Sequence, residues 1–153
     1  MKNMTKLEGP AGSGKIAVRI RLQSTLGGER IVRDMTGEWF PKGDHYYIRY
    51  EEPEEAEMGH TVTTLQVKAD EIRIVRFGDV RFEQTIAAGR RHIGYMQTPH
   101  GRMEIETRTH GLSVERAEGL ALPVTLRWAY NLTVMGEAAG DYAIELTASP
   151  THG

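Results

Sequence analysis

From Lys15 onward apolar residues recur at every second position, so that Ile16, Val18, Ile20 and Leu22 alternate with Ala17, Arg19, Arg21 and Gln23. A β-strand sends successive side chains to opposite faces, and period two with a charged alternate face therefore marks a half-buried strand. The same pattern returns at residues 29–40, 44–52, 60–69, 71–77, 79–87, 92–97, 102–110, 123–135 and 142–148, each run closed by Gly, Pro or Asp. Gly27-Gly28 reads as a hairpin turn and Gly37 as a bulge. Helical periodicity is confined to a single short turn in residues 112–119. Many short strands joined by tight turns form an antiparallel meander, and a meander with one apolar face must stack as two sheets or close on itself. Closure also removes the exposed edges of an open sheet. The expectation is an all-β fold, an antiparallel up-and-down barrel of about eight to ten strands. It occupies residues 15–149 as one domain, with a flexible tail at 1–14 and a short one at 150–153.

A chain of 153 residues needs no disulfide or metal to hold such a core together. The absence of Cys excludes thiol nucleophiles, CxxC redox chemistry and cysteine-ligated metal clusters. With 19 Lys+Arg against 21 Asp+Glu, the net charge of -2 supplies no global field for nucleic acid or anionic lipid. The first thirty residues hold no signal-peptide core, and no stretch is long and apolar enough for a transmembrane helix. These features lead us to expect a soluble, non-exported, cytoplasmic protein with no nucleic-acid or membrane partner.

Candidate motifs divide by context. Gly9 to Lys15 satisfies the GxxxxGK part of a phosphate-binding loop, but no strand precedes it, Ile16 replaces the required Ser or Thr, and the next run is β-patterned. A flexible tail is the better reading. The six histidines (His45, His60, His92, His100, His110 and His152) lack metal-site spacing. A turn at residues 98–101 pairs residues summing to 199, which puts His92 opposite Thr107. Neither a metal nor a cofactor is expected. The carboxylates of Glu51 to Glu57 read as a solvated acidic loop. Arg73, Arg76, Arg81, Arg90, Arg91 and Arg102 read as cross-strand ion pairs on a barrel exterior. Glu104 and Glu106 fall on the solvent side of their strand, and no catalytic triad or nucleophile elbow can be assembled.

Alternation also gathers Tyr46, Tyr50, Trp128, Tyr130 and Tyr142 on the inward face. Such residues either fill a barrel or line a ligand cavity, and both readings stay open. The leading one is a non-enzymatic barrel binding a small hydrophobic or amphipathic ligand through these five residues. Its rivals are a packed barrel that works as a protein-interaction module and an enzyme with its site at the barrel mouth. Tyr47 faces outward, so a cover over it is expected, either residues 112–122 or the second subunit of a homodimer.

Three segments carry a family likeness: Thr36-Gly-Glu-Trp-Phe-Pro-Lys-Gly-Asp44 running into His45-Tyr-Tyr-Ile-Arg-Tyr50-Glu-Glu52; Tyr95-Met-Gln-Thr-Pro-His-Gly101 followed by Arg-Met-Glu-Ile-Glu-Thr107; and Val124-Thr-Leu-Arg-Trp128-Ala-Tyr-Asn-Leu-Thr-Val-Met-Gly136. In this order the chain resembles the YwiB-like family of bacterial proteins, departing from its pattern at Asn131, where an acidic residue is expected. The resemblance implies a calycin-type, lipocalin-like barrel. It brings no catalytic residues with it.

Overall fold

The computed structural model describes residues 14–116 and 121–151. Most of the GxxxxGK-like motif, with the expected N-terminal tail, lies outside the described residues, as do His152 and Gly153. Among the described residues ten strands follow one another: β1 (Ile16–Leu26), β2 (Glu29–Lys42), β3 (His45–Glu51), β4 (Thr61–Val67), β5 (Ile72–Gly78), β6 (Phe82–Ile86), β7 (Arg91–Thr98), β8 (Gly101–Arg116), β9 (Val124–Val134) and β10 (Glu137–Pro150). A single 3-10 turn, Glu54–Ala56, interrupts the β3–β4 connection.

The sheet order β6-β5-β4-β3-β2-β1-β10-β9-β8-β7 is a pure antiparallel meander whose first and last strands pair. That β1–β10 ladder runs from Val18 opposite Pro150 to Leu26 opposite Tyr142, so β10 extends into the expected C-terminal tail. The barrel closes between two consecutive strands in mid-chain. Arg81 and Gln97 exchange both backbone hydrogen bonds at 2.9 Å. His92 Nε2 reaches Glu83 O at 3.1 Å across the same seam. The expected β7–β8 register is present, with His92 opposite Thr107.

Three local expectations are corrected. The helical turn at 112–119 is strand as far as Arg116, because a register shift between Thr109 and Gly111 breaks the period of two before Leu112 and Val114 resume it against the core. β10 starts at Glu137, earlier than the alternation indicated, for the same reason: a shift between Ala138 and Gly140 hides its first residues. Gly37 is no bulge, since it keeps register with Val18 on one side and Tyr50 on the other. It is small because a Cβ there would strike the Arg49 carbonyl oxygen and lie 2.8 Å from Ile20 Cδ1.

The inward rows form one core. Ile20, Ile48, Leu65, Ile72, Leu126 and Leu146 are its largest fully buried side chains, and each contributes about 1.5 to 3 kcal/mol on burial. Trp39 and Tyr46 fill one end with ring centroids 5.9 Å apart. Ile16, expected inward, is 37% exposed at the beginning of its strand. Outside, Arg21 pairs with Asp34 at 2.9 Å, Arg91 with Glu106 at 2.7 Å, and Arg127 with both Glu115 and Glu145. Tyr47 is covered on the exterior by its own neighbours: it stacks on Phe40 at 5.1 Å and meets His45 edge-on at 5.4 Å.

Candidate functional site

The β2–β3 ladder runs from Lys42 opposite His45 to Gly37 opposite Tyr50, and there the two strands part. Upstream of Gly37, β2 pairs only with β1. The parting leaves a cleft of about 750 Å³ in the barrel wall between Met35–Glu38 and Arg49–Pro53. Tyr50 and Glu52 form its inner end.

Alternation along β3 sends Tyr46, Ile48 and Tyr50 inward, and the next residue in that series is Glu52. Its side chain is 4% exposed, which corrects its assignment to a solvated acidic loop. Thr63 on β4 donates its hydroxyl to Glu52 Oε2. Arg76, the β5 partner of Thr63 and two positions after buried Ile74, also turns inward. Its Nε stands 3.6 Å from Glu52 Oε2, with the side chain 18% exposed. Arg76 is thereby removed from the exterior set to which sequence reading assigned it. Its Nε is buried without a hydrogen-bond acceptor among the described residues.

Tyr50, Thr63 and Arg76 border an interior cavity of about 90 Å³, while Glu52 faces the cleft. Its lining combines the polar groups of Tyr50, Thr63, Arg76, Gln84 and Tyr130 with apolar Leu22, Leu65, Ile74, Trp128, Ile144 and Leu146. Thr107 holds Gln84 Oε1 at 3.4 Å. Burial, reinforced by the Glu52 carboxylate, pushes the Tyr50 hydroxyl well above the usual phenol range. Burial likewise pushes Tyr130 up to about 12, against the pull of the Arg76 charge. Both phenols therefore stay protonated near neutrality, suited to donating hydrogen bonds rather than to exchanging protons.

Of the five aromatic residues singled out by alternation, the structure brings Tyr50, Trp128 and Tyr130 to the cavity. Tyr142 stands behind Tyr130, stacked at 5.3 Å, and Tyr46 packs against Trp39. The cavity is far smaller than the roughly 300 to 1,000 Å³ of ordinary small-molecule pockets, so most of the interior is filled by side chains. Glu52, Thr63, Arg76 and Gln84 escaped sequence reading, although each carries one legible signal: a polar residue in phase with an apolar row. The histidines are scattered, His45 on Asp44, His92 on Glu83 O and His110 on Asn131. Among the described residues no three His, Asp or Glu side chains gather as a metal site.

Fold and interior together define a lipocalin-like β-barrel with a polar cluster buried at one wall. Residues 16–146 match the family described as "Domain of unknown function (DUF1934)", and the chain belongs to that family. It is also similar in structure to the ywiB protein from Bacillus subtilis, with a TM-score of 0.73 and 21% sequence identity over 90% of this chain and 92% of that one. No curated protein matches the sequence.

Proposed function

We propose that this barrel binds a small amphipathic molecule, which enters by the β2–β3 cleft and rests with its polar end on the Tyr50, Glu52 and Arg76 cluster and its apolar part against Trp128. One observation carries the reading: Arg76 borders an interior cavity, and its buried Nε finds no acceptor among the described residues. An unsatisfied buried donor costs about 1 to 3 kcal/mol, and well-packed hydrophobic residues in place of a buried ion pair are often neutral or stabilising. A side chain that contributes so little to packing stability is suited to contacting something else. The size of the cavity argues against a bulky lipocalin-type ligand and for a small one.

Native mass spectrometry of the full chain purified from its own host tests this, with a retained small-molecule mass as the expected result. Fluorescence of a Trp39→Phe variant, in which Trp128 is the remaining tryptophan, supplies a second readout when bound material is washed out and returned. A bare chain mass together with unchanged Trp128 emission would remove the reading.

A further inference from the structure

We infer that the polar end of the ligand is a carboxylate, that the cavity takes a short-chain carboxylic acid on Arg76, and that Glu52 occupies the same guanidinium as a built-in competitor. The inference rests on the ligand-binding reading above and names its chemical class.

A guanidinium presents five N–H donors in a planar fork that matches the two oxygens of a carboxylate. Glu52 does not use that fork well. Its nearer oxygen stays 3.6 Å from Arg76 Nε, beyond a hydrogen bond, and also accepts from Thr63. Arg76 therefore has a counter-charge close enough to neutralise it and too far to satisfy it. The same lining adds the Tyr130 hydroxyl as a donor and the Gln84 amide, whose oxygen is engaged by Thr107. An acceptor placed on Arg76 Nε is what this lining lacks.

The apolar part of the lining decides between anions. Phosphate and sulfate carry oxygens on every side, whereas Leu22, Leu65, Ile74 and Leu146 offer them nothing. A carboxylic acid offers oxygens to the Arg76 guanidinium and carbon to these apolar side chains. A volume of about 90 Å³ is well below the roughly 300 to 1,000 Å³ of ordinary small-molecule pockets, which limits the guest to a short chain of a few carbons. Charge balance gives Glu52 its part. A second carboxylate beside Arg76 would leave the interior with net negative charge, so the incoming acid must displace Glu52, and Glu52 already borders the cleft into which it can swing.

Isothermal titration calorimetry with acetate, propionate and butyrate tests this, using propionamide as the uncharged isostere and octanoate as the oversized acid. The titrations use the full chain as wild type, Glu52→Gln, Arg76→Lys and the exterior control Arg81→Gln, each checked for folding by its thermal transition. The expected results are binding of propionate by the wild type and Arg81→Gln, about tenfold tighter binding by Glu52→Gln, and at least about tenfold weaker binding by Arg76→Lys. Propionamide and octanoate are expected to be excluded. If Arg76→Lys fails to fold, the Glu52→Gln gain and the propionate-to-propionamide contrast still decide the matter. Equal binding of propionate and propionamide, or no gain in Glu52→Gln, overturns the carboxylate assignment while leaving a small-ligand barrel in place. If no acid binds but the purified protein carries another mass, the class is likewise wrong and the broader reading stands. No binding of any of these compounds, with a bare chain mass, defeats both.

Discussion

Gly37 faces Tyr50 at the last paired position of β2 and β3, and a Cβ on Gly37 would sit 3.1 Å from Tyr50 Cβ as well as striking the Arg49 carbonyl oxygen. The backbone contact cannot be relieved by a rotamer change. Gly37→Ala is therefore expected to destabilise the barrel by about 1 to 3 kcal/mol, as other overpacked sites do. In urea the midpoint should fall with an unchanged slope. A wild-type midpoint would mean that the strands can separate at this point without cost.

Glu52 and Arg76 are expected to show strong thermodynamic coupling. Arg76→Met strands a carboxylate that is 4% exposed, and breaking a buried pair from one side costs about 3 to 5 kcal/mol. Water reaching Glu52 through the cleft places the loss at the lower end of that range. The double variant Glu52→Gln with Arg76→Met should recover most of it, because no unpaired charge remains. A double-mutant cycle by denaturant unfolding measures the coupling. Additive single effects would show that the pair does not interact.

Tyr130 makes stability fall at alkaline pH. Its hydroxyl is pushed up to about 12 in the folded barrel, against about 10 in an unfolded chain. Between these values the unfolded state has lost the proton that the native state keeps, so the native state binds more protons and stability declines as pH rises. The slope is about 1.4 kcal/mol per pH unit for one such group, and this contribution is constant below pH of about 10. Tyr50, raised in the same direction, adds to the decline. Urea midpoints at stepped alkaline pH should therefore fall less steeply for Tyr130→Phe than for the wild type. An identical slope would place the hydroxyl in contact with solvent.

The seam between β6 and β7 is the weakest closure of the barrel. One reciprocal pair of backbone bonds joins Arg81 to Gln97, whereas β1 and β10 share a continuous ladder from Val18 to Leu26. Amide hydrogen exchange should show the Arg81 and Gln97 N–H groups opening at lower free energy than the amides of the β1–β10 ladder, since local opening follows local contact density. Equal protection at both places would mean that the barrel opens only by global unfolding.

The strands of this protein are written in its sequence because alternation is a local property: consecutive side chains of an extended backbone must point to opposite faces. Even Arg76 could be assigned to the inner face, two positions after Ile74. Where that local rule breaks, at the shifts near His110 and Gly140, alternation alone reads a turn in place of strand or misses the first strand residues. The rest depended on distances across the barrel. Glu52 meets Arg76 only because β3, β4 and β5 pair in the register that puts Tyr50 beside Thr63 and Thr63 beside Arg76. Sequence alone thus determined the number and order of the strands and most of their inward faces. Tertiary structure decided where the barrel closes, how much of it is filled and which charges meet inside, because these follow from non-local pairing and from side-chain volumes summed across the interior.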